Sequence, residues 1–154
     1  MDIAIESAKL KNNRFLRNEH EIETFEQAIV SILKLKDPQH IALLCEGFDD
    51  STENHAVMFG LVHAIESYDD IVNSQTSLNI LANSIPKMLP HAKEWLKILH
   101  KRILNHEPSL LIYKNSLTSL NKDIQDYIVS QLESIKEKNP IQFEKSVNSI
   151  LKSL

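Results

Sequence analysis

Apolar residues recur at three- and four-residue spacing along most of the chain, and no stretch shows the alternation of a strand. Ile22, Phe25, Ile29, Ile32 and Leu33 make one stripe. It is opened by Asn18 with Glu21 three residues later, the spacing of a capping box. Asp37-Pro38 places a cap residue before a proline at the first helical position. Gly47 stands where a C-terminal glycine closes the short helix through Ile41 and Leu44. Ser51 or Thr52 is placed to cap the next helix, which is apolar from Ala56 to Ile65 except at Gly60 and His63. That pattern predicts a central helix packed on several sides, with Gly60 at a close helix approach and His63 a hydrogen-bonded core histidine.

Leu78, Leu81 and Ile85 mark a further helix, which Pro86 and Pro90 interrupt. Ala92, Trp95, Leu96, Leu99 and Ile103 then define an amphipathic helix with Trp95 on its core side. Lys93, Lys97 and Lys101 lie one turn apart on another face. Pro108 starts a helix carrying Leu110, Tyr113, Leu117 and Leu120, and Asn121 caps one with Ile124, Ile128, Leu132 and Ile135. Asn139-Pro140 repeats the cap-plus-proline device before Phe143, Val147, Ile150, Leu151 and Leu154, and the N-terminal segment reads as helical through Leu16. The expected architecture is all-α: about eight helices in antiparallel pairs, as a helical bundle or a short HEAT-like solenoid, forming a single domain over residues 1–154.

Composition removes several function classes. Two glycines in 154 residues leave no material for dinucleotide or phosphate-cradling loops, and neither GxGxxG nor GxxxxGK[ST] occurs. No apolar run is long enough for a membrane span, and MDIAIESAKL does not read as a signal peptide. Cys45 is the lone cysteine, which excludes an internal disulfide and fits a reducing cytoplasm.

Charge is laid unevenly. From Asp37 to Pro86 there is no lysine or arginine, while Asp37, Glu46, Asp49, Asp50, Glu53, Glu66, Asp69 and Asp70 all fall there. The net charge of −4 therefore conceals an acidic block within an otherwise basic chain. If the block forms one face, it repels nucleic acid and anionic lipid and speeds encounter with a basic partner.

Asp49, Asp50, His55, His63 and Glu66 are the residues from which a metal site would be built. His55 and His63 are about 12 Å apart along a helix axis, too far to share one ion without a bend. Cys45 follows Ile41, Leu43 and Leu44 and reads as a buried thiol without a neighbouring base, and no serine lies in a GxSxG elbow. The three lysines near Trp95 lack the interleaved aromatics of a nucleic-acid surface. The expectation is no catalytic residue, no metal and no cofactor.

GFDDSTENHAVMFGLVHAIESYD (Gly47 to Asp69) followed by AKEWLKILHKRILN (Ala92 to Asn105) resembles the immunity protein 30 family over most of the chain. Phe59 departs from that pattern, standing where a larger tryptophan is expected. The resemblance implies a bacterial, cytoplasmic protein encoded beside a polymorphic or contact-dependent growth-inhibition toxin. Such a protein neutralises the toxin by binding its C-terminal effector domain. Many such effectors are nucleases with basic surfaces, which the acidic block would complement. Glu46, Phe48, Asp49, Asp50, Glu53, His55, Glu66, Asp69 and Asp70 are the toxin-binding candidates, with His63 beside them. The alternatives are a helical scaffold or adaptor for a peptide or protein partner and, further off, a metal-dependent hydrolase.

Overall fold

The computed structural model describes residues 2–154, and every regular element among them is helical. Asp2 caps α1 (Ile3–Asn12) by accepting from the Ala4 N–H. The helix expected through Leu16 ends at Asn12 instead. Leu16 is buried with φ at +52°, a left-handed backbone costing about 1–2 kcal/mol for a non-glycine residue, which its burial offsets.

In α2 (Glu19–Lys34), Asn18 accepts from the Glu21 N–H as the capping box requires. The Glu21 carboxylate returns one residue earlier than expected, to the Arg17 N–H, and also takes the Arg17 guanidinium at 2.7 Å. Those bonds from Arg17 hold Glu21 down to about 2.

Asp37 caps a short 3-10 turn (Pro38–His40), which runs directly into α3 (Ile41–Cys45). Gly47 follows it, but not as a left-handed cap, because its φ is not positive. A side chain is excluded there for another reason: a Cβ would lie 2.7 Å from Cδ2 of the fully buried Leu10.

Asn54, rather than Ser51 or Thr52, caps α4 (His55–Glu66) by accepting from the Val57 N–H. Ser51 instead donates its N–H to Asp49, and Thr52 is buried. The single turn α5 (Tyr68–Ile71) leads to α6 (Ser74–Ser84), capped by Asn73, and a second 3-10 turn (Ile85–Met88) ends at the interruption the prolines predict. α7 (Lys93–Leu104), α8 (Glu107–Leu117), α9 (Lys122–Lys138) and α10 (Pro140–Leu151) complete the chain.

Consecutive helices pack as pairs: α1 on α2, α7 on α8, α9 on α10. Between them α6 lies against α3, α5 and α8, and one apolar cluster runs from Leu10 to Ile150. Trp95 and Cys45 are both inside it, and burial pushes the Cys45 thiol up to about 12. Leu154, expected to finish the last apolar stripe, is exposed.

α4 is not surrounded. Met58, Leu61, Val62, Ala64 and Ile65 are buried, but Ala56, Gly60 and His63 face solvent. Nothing lies within 4 Å of a Cβ built on Gly60, so no helix approaches it. The His63 side chain is 63% exposed, and the core histidine is His100 of α7. His100 Nδ1 bonds Gln131 Oε1 of α9, and its Nε2 bonds the Tyr113 hydroxyl of α8 at 2.7 Å. Gln131 Nε2 donates on to the Lys93 carbonyl at 3.2 Å. With a proton on Nδ1 alone, His100 donates to Gln131 Oε1 and accepts from the Tyr113 hydroxyl. Burial lowers His100 to about 4, so the imidazole is neutral at pH 7. This polar thread fastens the C-terminal helix pair to the α7–α8 pair.

Candidate functional site

The Gly47–Asn54 loop was expected on a docking face, and most of it is structural. Leu10 covers Gly47. Phe48 is fully buried, stacked on Trp95 with ring centroids 5.9 Å apart. Asp49 is buried and pairs with Arg14 at 3.1 Å, while its other oxygen takes the Ser51 N–H. Asp50 accepts from the Glu94 and Trp95 N–H groups, capping α7, whose own cap position is Ala92 and supplies no side-chain bond. Its backbone N–H donates to the His91 carbonyl at 2.9 Å, and the Glu53 N–H donates to the Phe15 carbonyl at 2.8 Å. The loop is a clasp joining the α1–α2 connection to the start of α7. Phe48 and Asp49 therefore lie inside the protein rather than on a contact surface.

The acidic block does not form an unpaired face. Glu46 sits between Lys11 at 3.8 Å and Lys87 at 3.5 Å. Glu66 holds Arg102 through two bonds, of 2.6 and 2.9 Å. Asp37 caps its turn. Only Glu53, Asp69 and Asp70 of the block make no ion pair and cap no helix among the described residues, and of these Asp69 has a hydroxyl partner, Ser77. A stretch without bases takes its counter-ions from elsewhere in the chain, so separation along the sequence becomes pairing in space.

Beside the clasp, His55 and Phe59 of α4 and Arg102 of α7 form a strip that reaches solvent over the buried Trp95. The His55 ring is tilted against Trp95 with centroids 5.8 Å apart, and Phe59 and Trp95 meet in a T-shaped pair at 6.1 Å. The Phe59 ring is 5.4 Å from His63, and the Arg102 guanidinium lies 5.5 Å above it. His63 Nδ1 is 3.6 Å from Glu66. Where Glu66 and Arg102 meet, the strip opens into a groove of about 410 Å³ between the end of α4, α5, α6, the second half of α7 and the start of α8. Ile65, Leu78, Leu81, Leu99 and Ile103 give it an apolar floor, and Asp69 and His106 stand in its wall. Sequence reasoning named Glu66 and Asp69 but missed Ser77, Arg102 and His106. Only Arg102 carried a signal, since it lies with Glu66 in the two blocks of the family resemblance.

Asp49, Asp50, His55, His63 and Glu66 do not converge. Among the described residues no three His, Cys, Asp or Glu side chains are placed to hold one metal ion. No helix there is long and apolar enough to cross a membrane.

The fold is thus all-helical, with the most distinctive motif building the scaffold and a strip and groove beside it left open. A sequence profile for the family described as Immunity protein 30 matches residues 12–113, more than half of the 154-residue chain. The chain belongs to this family. The matched segment contains the clasp, α4, the Trp95 helix and the residues that line the groove. No curated protein and no solved structure matches the chain.

Proposed function

We propose that the protein neutralises a cognate bacterial toxin in the cytoplasm by binding its effector domain, without a catalytic step of its own. Family membership across the clasp and α4 carries this reading. The contact surface we assign is the outer face of α4 with the adjoining groove. His55 lies near one end, and Glu66, Asp69 and Asp70 near the other; Glu53 precedes the helix. Gly60 supports this placement, because a mid-helix glycine costs about 1 kcal/mol relative to alanine and no neighbouring group requires it. A flat, side-chain-free turn beside exposed His63 suits close approach by another protein. The residual free acids favour a basic partner surface, a nuclease among the candidates, with charge contributing to encounter rate more than to affinity.

The test is co-expression with the toxin domain encoded next to this gene. The wild-type chain should restore growth, and Gly60→Arg should abolish protection while leaving the helical circular-dichroism spectrum unchanged. Failure of the wild type to protect overturns the function; full protection by the folded Gly60→Arg variant overturns the surface.

A further inference from the structure

We propose that the groove between α4, α5, α6, α7 and α8 receives an arginine or lysine side chain of the bound protein, with Asp69 as its counter-ion. This rests on the toxin-binding reading and names the chemistry its partner must supply. The groove's volume of about 410 Å³ suits one long side chain with its backbone alongside. Its floor of Leu78, Leu81, Leu99 and Ile103 offers apolar contact for a methylene stem.

The charges in the wall define the head group. Asp69 accepts from the Ser77 hydroxyl and has no ion-pair partner among the described residues. Burial, the largest influence, raises its pKa above the ordinary carboxylate value together with the charges of Glu66 and Asp70, while the Ser77 hydrogen bond and His106 act the other way. The carboxylate is thus partly withdrawn from water beside Glu66 and Asp70, and His106 alone among the neighbouring charges offsets them. Arg102 on the rim does not serve it, since both of its bonds go to Glu66. A neutral side chain entering the groove leaves Asp69 unmatched, and an acidic one meets repulsion. A guanidinium or ammonium on a flexible stem satisfies both the floor and the wall.

The experiment is an NMR titration of the full chain with Nα-acetyl-arginine amide and Nα-acetyl-lysine amide. Nα-acetyl-norleucine amide serves as an uncharged control of similar stem. The basic probes should give saturable shifts at Asp69, Ser77, Leu81 and Ile103, and the control none. Asp69→Asn keeps an oxygen for Ser77 and should weaken binding at least fivefold, whereas Asp69→Glu, which keeps the charge, should retain most of it. Equal response to norleucine, no response to either basic probe, or unchanged affinity in Asp69→Asn overturns the proposal. Growth rescue separates the two readings. Protection with a failed titration rejects only the groove's assigned occupant; lost protection with a successful titration rejects only the toxin-binding function.

Discussion

Asp50 accepts hydrogen bonds from the backbone N–H groups of Glu94 and Trp95, capping α7 from a loop 44 residues earlier in the chain. A carboxylate at a helix N-terminus satisfies orphan donors and meets the positive end of the helix dipole. Asp50→Ala should therefore lower unfolding free energy by about 1–2 kcal/mol in urea titrations. Asp49→Lys should cost more, about 3 kcal/mol, because it sets a second cation beside Arg14 in a buried site. Glu53→Lys, four residues on from Asp49, should stay within about 0.5 kcal/mol of wild type, leaving it the usable probe of surface charge.

The two glycines should respond in opposite directions to alanine. Gly60→Ala fills open space on a helix and should stabilise by about 0.5–1 kcal/mol. Gly47→Ala forces Leu10 to move within a packed core and should destabilise by about 1–3 kcal/mol. Thermal midpoints of the two variants on opposite sides of wild type would confirm the pair; a Gly60→Ala protein less stable than wild type would contradict the open surface there.

Acid should loosen the fold first through His100. Its folded value of about 4 lies below the ordinary 6.5, so the unfolded chain binds a proton that the folded one refuses. The contribution is fully present above pH 6.5 and is lost as pH falls toward 4, amounting to roughly 3 kcal/mol over that window. Glu21, held at about 2, adds its own loss only below about pH 4.5. Urea midpoints measured between pH 7 and 5 should fall for wild type and fall less for His100→Asn.

The Arg102–Glu66 pair is short and two-pronged but partly exposed, and such pairs contribute about 1 kcal/mol or less. Arg102→Gln should change stability by no more than that, since Phe59 and Glu66 remain solvated. If the α4–α7 strip is the contact surface, the same variant should reduce protection in the co-expression assay well beyond its effect on the melting temperature.

Helices were legible because spacing, caps and prolines are local signals: Asn18, Asp37 and Asn139 all cap where the residues imply. Thr52 and Asn54 show the limit, since both are cap-type residues and only the chain's path chooses between them. His63 and His100 show another. His63 lies in an apolar run and His100 between Leu99 and Lys101, yet it is His100 that is buried against Tyr113 and Gln131, partners 13 and 31 residues away on other helices. The clasp and the pairing of Glu46, Asp49 and Glu66 depend in the same way on distant bases. The groove was illegible for the same reason: its lining comes from five helices, α4 to α8, and only assembly brings Asp69, Ser77 and Arg102 to one groove.

The order in which the chain is made gives the clasp a further consequence. Lys87, the Glu94 and Trp95 amides and Arg102 all leave the ribosome after the acids they serve. A nascent chain that stops short of residue 93 holds Asp50 with no helix to cap and Trp95 missing from above Phe48. The amino-terminal half therefore lacks these closing contacts until α7 has been made.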